Sequence, residues 1–343
     1  MLHAMRTTTI GRPARQWVKR LALVALGAFT ALFVVYNRSE IPAAWRSMHH
    51  ARPAMIGLAA AGTVVWLVNL AYLHGASQRA AGLDAHPTEL VFPAAGANFL
   101  NLVTKSGGMA GLALLLLHGS RRSQPRGSIV AAYLLTTVVL ETAFAATLLV
   151  ALVLVAADGH LTRTEALAGI VFAIYLALRV TVLSLAARSR ASVRALYALA
   201  RRIARAHATA EPDHRAADEL FESLSLVRGR PRAALVAFGH GLLVEAIGIA
   251  QLWAVMRAVG ASGGVATAVV AYSVSVLFAI VGFLPGGLGF VEVSLGAVLV
   301  SFGSEGTTAA AVVVLYRVFE LWLPVALGAT AAHVVRRQAA ARA

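Results

Sequence analysis

No cysteine occurs anywhere in the 343 residues, which excludes disulfides, thiol chemistry and cysteine-ligated metals. Charge is scarce too: 13% of the chain is charged, and 15 acidic residues stand against 30 basic ones. The four aspartates, Asp84, Asp158, Asp213 and Asp218, are scattered through polar segments. They form no cluster suited to acid–base or metal-assisted chemistry, so no catalytic constellation is recognised and no enzyme is expected. His49-His50 lacks companion ligands at metal-site spacing, and neither a metal nor a cofactor is expected.

What fills the chain instead is apolar. It is 59% hydrophobic with a mean hydropathy of +0.75, more than a soluble domain can hide. Several runs approach the roughly 20 residues needed to cross ~30 Å of hydrocarbon. The net charge of +15 does not point to nucleic acid, because the arginines lie between hydrophobic runs rather than among aromatics. They read as topology signals and as contacts for anionic membrane lipids.

The chain divides into a basic N-terminus (1–20), a first span (21–36), and a unit over 54–157. A span at 165–187 and a polar segment at 188–232 with ten arginines follow; then come a second unit at 233–335 and a tail at 336–343. Within the polar segment, Val193, Leu196, Tyr197, Ala200, Ile203 and Ala204 share one helical face, which predicts an amphipathic helix on the membrane surface. Two apolar segments are interrupted: Thr88–His118 by "TKSGG" and Val265–Gly303 by "LPGGLG". The arginine-rich loops and both termini should be cytoplasmic, in a cell membrane. That orientation holds if each interrupted segment enters and leaves on one side. The expected architecture is all-α, with about six full transmembrane helices plus two re-entrant hairpins.

The two interrupted segments repeat at a fixed offset of 179 residues, which pairs Gly107-Gly108 with Gly286-Gly287, Phe99 with Phe278 and Glu141 with Glu320. Opposite entry sides make the repeats inverted, an arrangement used by transporters with discontinuous helices and a midplane site. Non-helical backbone at membrane depth must be buried in protein or line a wet cavity. Pro285, Gly286, Gly287 and Gly289 break the helix because proline removes a donor and glycine permits tight turns. No Gly-Lys-Ser/Thr follows, so this is not a P-loop.

Ionisable residues inside the spans are Lys105, Glu141, Glu245, Glu292, Arg317 and Glu320. Each costs at least ~2.5–3.5 kcal/mol at the bilayer centre and should find a partner in the bundle. Arg317 and Glu320 are i, i+3 on one helix, and Glu292 lies one turn past the break, within reach of Arg317. Such a set suits either substrate contact or a packing network. Glu292 also suits the start of its own half-helix. Lys105 stands at the first hairpin tip, where it can attract a headgroup or snorkel, and Arg179 is expected to snorkel.

These residues carry a resemblance. "LPGGLGFVEVSLGAVLVSFG" followed by "AAAVVVLYRVFELWLPVALGA" resembles the C-terminal signature of the lysylphosphatidylglycerol synthase transmembrane-region family, and "NFLNLVTKSGGMAGLALLL" resembles its N-terminal counterpart. The likeness covers roughly residues 15–335. It implies Pro285, Gly286, Gly287, Gly289, Glu292, Arg317 and Glu320 as signature positions. In the full-length synthases this membrane domain precedes a soluble domain that aminoacylates phosphatidylglycerol from charged tRNA, and it is credited with moving the product outward. The chain stops at Ala343, so the synthase domain is expected to be absent. The first motif departs from the commoner proline-containing version, with Thr104 and Lys105 before Gly107.

The resulting expectation is a flippase-like transporter of a phospholipid or lipid-linked headgroup, in contact with anionic lipids and compatible with a homo-oligomer. A small-solute or ion transporter and a membrane-embedded transferase with a lipid-linked donor are the alternatives.

Overall fold

The computed structural model describes residues 51–104, 106–157, 163–186, 188–195, 214–282 and 284–340. The expected first span, Lys105 and the face at 196–204 lie outside the described residues. Among those described, every regular element is helical. They run α1 (Pro53–Ala80), a 3-10 turn (Pro87–Leu90), α2 (Val91–Thr104), α3 (Met109–Ser120), α4 (Arg126–Ala157), α5 (Arg163–Ala186) and α6 (His214–Gly229). α7 (Pro231–Val259), α8 (Val265–Val281), a 3-10 turn (Pro285–Gly287), α9 (Phe290–Ser301) and α10 (Gly306–Arg317) follow. A π-helical turn (Val318–Trp322) joins α10 to α11 (Leu323–Ala340).

Among the described residues, four helices are long and apolar enough to cross a membrane: Pro53–Ala80, Arg126–Ala157, Pro231–Val259 and the continuous Gly306–Gln338. α5 has 24 residues, with its shorter apolar stretch at Gly169–Val182. Large aliphatic side chains stay exposed at one-turn spacing on α4 (Leu149, Val150, Val153) and α5 (Ile170, Ile174, Leu178), facing where lipid would lie. Between helices the contacts are small. Ala71, Ala94, Ala131, Ala237, Ala254 and Ala268 are fully buried. Without a hydrophobic drive inside lipid, such residues let helices associate by close van der Waals approach.

The two long helices α1 and α7 pack against each other along their length. Each begins with a proline in its first turn, where the missing N–H is no loss, and Gly260 ends α7 at φ 76°. They run antiparallel. Arg52 N–H donates to the Ala258 carbonyl (2.9 Å) at one end, and Arg230 Nη1 to the Arg79 carbonyl (2.9 Å) at the other. Between them, Gln251 Nε2 donates to the Ala59 carbonyl and to Thr63 Oγ1, both at 2.8 Å. Asn69 Nδ2 donates to the His240 carbonyl at 2.9 Å.

Each interrupted segment folds as two helices packed on one another, α2 on α3 and α8 on α9. At 1.5 Å per residue the 12 residues of α3 or α9 reach only ~18 Å, short of the ~30 Å a span requires. The mouth of the first hairpin closes on itself, since Glu89 before α2 pairs with Arg122 after α3. It sits at the arginine-bearing end, where Gln124 also reaches the Asp84 carbonyl (3.4 Å). The second hairpin follows α7, so it starts from the opposite end, where Arg52 meets Ala258.

Shifting the limits of α1, of Pro87–Thr104, of α3 and of α4 by 179 residues lands within two residues of α7, α8, α9 and Gly306–Gln338. Packing crosses between the units: α2 lies on α11, and α8 lies on α4. The α2–α11 seam is tight, because a Cβ on Gly328 would meet the Ala95 carbonyl oxygen at 2.7 Å and one on Gly96 would meet the Ala332 Cα at 3.0 Å.

The polar segment corrects one expectation. Val193, assigned to a membrane-facing stripe, is buried against Ala131, Ala217 and Leu224 of α4 and α6. Arg194 is drawn into this contact by a two-pronged ion pair with Asp218 (2.8 Å), and Glu219 accepts the Gly127 N–H at 3.0 Å. The described part of the segment therefore docks on protein.

Candidate functional site

The second hairpin turns through Gly286 (φ 63°), Gly287 (φ 65°) and Gly289 (φ 83°), left-handed conformations that disfavour a side chain. Gly287 has a second reason to be glycine: a Cβ there would stand 2.7 Å from the Ala279 Cα. After the turn, Glu292 Oε2 accepts the Gly289 N–H at 2.6 Å, an acidic side chain at the positive end of a new helix. Its other oxygen, Oε1, accepts from Arg317 Nε at 2.8 Å. Both readings of Glu292, helix start and arginine partner, hold at once.

Arg317 is only 3% exposed and is bound at every edge. Nη1 donates to Glu320 Oε2 at 2.7 Å, and Nη2 donates to the Gly286 carbonyl at 2.9 Å. The guanidinium therefore joins the broken backbone, the half-helix after it and the last helix. Of its two carboxylates, Glu292 is nearly enclosed (9% of the side chain exposed) and Glu320 is open (33%). The expected trio of Glu292, Arg317 and Glu320 comes together.

Glu320 sits in the π turn, which has a local cause. Pro324 has no N–H for the carbonyl four residues back, so the α ladder cannot continue unbroken through Glu320. Thr63 Oγ1 from α1 donates to the neighbouring Phe319 carbonyl at 2.9 Å. Turns of this kind recur at functional sites. The expected single span at 309–335 is thus a helix wound differently at its acidic residue.

The two breaks are neighbours. A Cβ on Gly286 would lie 2.7 Å from Leu321 Cδ1 and 3.7 Å from Leu102 Cδ1, one turn before the first break. At that first break Gly107 (φ 61°) and Gly108 (φ 89°) make the turn. The Gly108 carbonyl accepts from the Tyr133 hydroxyl at 2.8 Å. Asn101 completes the arrangement, donating from Nδ2 to Tyr133 Oη (2.9 Å) and accepting the Gly111 N–H at Oδ1 (2.8 Å). In each hairpin, then, a polar side chain from the following helix holds a carbonyl of the break: Tyr133 in the first, Arg317 in the second.

A family model, the lysylphosphatidylglycerol synthase TM region, matches residues 17–328. The chain belongs to this family. No curated protein matches it. The lysylphosphatidylglycerol synthase TM region is a membrane domain associated with lipid modification or flipping. In this family member both breaks and the Arg317 trio fall inside the matched residues.

Glu141, the counterpart of Glu320, is brought to a different cation. Arg179 of α5 donates to Glu141 Oε1 and to the Tyr175 hydroxyl (2.7 Å). This corrects the expectation that Arg179 snorkels, because a carboxylate within reach is the better partner inside a bundle. Glu141 Oε2 is buried without a partner among the described residues. Among the described residues no group of three or more His, Asp or Glu could hold a metal ion. Sequence reasoning missed Asn101, Tyr133, Thr63 and Gln251. Asn101, Thr63 and Gln251 are polar residues within apolar helices, a signal of interhelical hydrogen bonding that was there to be used.

Proposed function

We propose that this family member is a flippase-like transporter that moves a phospholipid or lipid-linked headgroup between leaflets without covalent chemistry. Its two hairpins are re-entrant and its two units are inverted repeats. The antiparallel α1–α7 pair, the matched element limits and the neighbouring breaks all support this reading. Its arginine-bearing end faces the cytoplasm, in keeping with the positive-inside rule.

The observation that carries the proposal is Arg317 held between a buried glutamate and an open one, against the carbonyl of a broken helix. A headgroup phosphate arriving at the open side displaces Glu320 from Nη1, because the planar fork of arginine matches two phosphate oxygens. Glu292 stays bound and keeps the guanidinium oriented. Release of the latch frees Gly286 and lets the hairpin part from the last helix.

The test is reconstitution into liposomes with fluorescent lipid analogues in one leaflet, followed by chemical quenching from outside. The expected result is acceleration over empty liposomes by wild type, lost in Glu292→Gln while the variant still inserts and purifies as folded protein. No acceleration across a broad panel of anionic and zwitterionic lipids would overturn the proposal.

Glu245 favours a second reading, ion-coupled solute transport. It is a buried carboxyl on α7 with Oε2 unpartnered among the described residues. Solute-driven proton uptake abolished by Glu245→Gln would favour that alternative.

A further inference from the structure

The mouth of the first hairpin holds a cavity of about 550 Å³ that the Arg317 site does not use. Its walls come from the start of α2, the end of α3 and the last turns of α11. Val335, on its wall, is 15 residues past Glu320, so the cavity lies ~22 Å along the helix from the ion cluster. The walls are of two kinds. Phe92, half exposed, and Pro93 form an apolar side. Arg121 and Arg122 form a cationic side with His118 beside them, opposed among the lining residues by Glu89 alone.

On that side the arginine donor Arg121 Nη2 is unused, and so is one ring nitrogen of His118. Arg121 Nη2 and His118 Nε2 are both shielded from solvent and have no hydrogen-bond partner. A buried donor without an acceptor is costly, so the wall is short of acceptor oxygens. Arg122 is engaged by Glu89, whose side chain is 44% exposed, and is attracted by Asp84. The cavity therefore offers an apolar shelf beside two arginines, one of them with an unused donor, at the end of the bundle where the arginines gather.

We infer that this cavity is a binding site for the phosphodiester headgroup of an anionic phospholipid. The phosphate takes Arg121 and His118, the first carbons of the lipid lie on Phe92 and Pro93, and Glu89 competes with the phosphate for Arg122. A free phosphate offers the same oxygens without a use for the apolar shelf. The site is separate from the proposed translocation latch and does not require that lipid be moved.

The experiment titrates the purified full chain with dioctanoyl phosphatidylglycerol, dioctanoyl phosphatidylcholine and inorganic phosphate, and counts bound molecules by native mass spectrometry. Phosphatidylglycerol is expected to bind at least fivefold more tightly than phosphatidylcholine, and millimolar phosphate is expected not to displace it. Arg121→Gln should weaken phosphatidylglycerol at least fivefold. Glu89→Gln should strengthen it severalfold by releasing Arg122, a gain that misfolding would not give. Equal affinity in wild type and both variants overturns the site, and displacement by phosphate alone overturns its assignment to lipid. A chain that holds phosphatidylglycerol here yet moves no lipid would sink the flippase proposal and leave this one standing.

Discussion

Each edge of the Arg317 guanidinium is taken by the protein, with Glu292, Glu320 and the Gly286 carbonyl sharing its donors. Removing the cation leaves Glu292 enclosed and unpaired, so Arg317→Ala should cost about 3–5 kcal/mol, read as a lowered unfolding midpoint in detergent. Glu320→Gln should cost far less, because that carboxylate is one-third exposed and water replaces much of the pair. Equal losses in the two variants would refute this division of labour. At the membrane end, Arg122 holds Glu89 below the ordinary carboxylate range through its hydrogen bond and charge. The pair thus persists above that range and fades as pH falls through the lowered value. Carboxyl NMR should show Glu89 titrating higher in Arg122→Gln than in wild type. The Glu292–Arg317 pair was legible in the sequence because Glu292 lies one turn past the break and an intramembrane charge needs a partner in the bundle. Arg179 was not, since its partner Glu141 lies on another helix and spacing along one helix cannot reveal it.

The elements themselves were largely legible, because proline and glycine punctuate helices for local reasons. Pro53 and Pro231 sit within one turn of predicted span starts, and the glycines at both breaks fall at the observed turns. The π turn was not legible. Pro324 announces that a carbonyl will be freed, but the shape of the turn also depends on Thr63 arriving from α1. Thr63→Val should therefore cost about 1–3 kcal/mol, by orphaning the Phe319 carbonyl and removing one of the two acceptors of Gln251, measurable as a fall in thermal stability. The glycines of the second break should differ in sensitivity. Gly287→Ala meets the backbone of Ala279 at 2.7 Å and adds left-handed strain of roughly 1–2 kcal/mol. Gly286→Ala has the same strain but meets only the flexible end of Leu321, which can move aside. Unfolding measurements should rank Gly287→Ala as the more damaging.

At the scale of the whole molecule, the offset of 179 residues predicted equivalent elements, and their limits agree to within two residues. What sequence periodicity could not supply was the partner of each element, because apolar helix faces rich in alanine and valine look alike. The absence of cysteine makes the convergence of the breaks testable. Leu102→Cys with Leu321→Cys, both beside Gly286, should cross-link with a short bifunctional reagent and arrest the proposed lipid movement without disturbing insertion. Full activity after cross-linking would show that the breaks need not part.

The exchange of partners between units, α2 on α11 and α8 on α4, has a thermodynamic consequence. Neither half can melt while the other keeps its native contacts, since Gly96 and Gly328 would lose the surfaces they are shaped to meet. Denaturation of the described bundle should proceed in one cooperative step. Halves expressed apart should gain structure only when mixed.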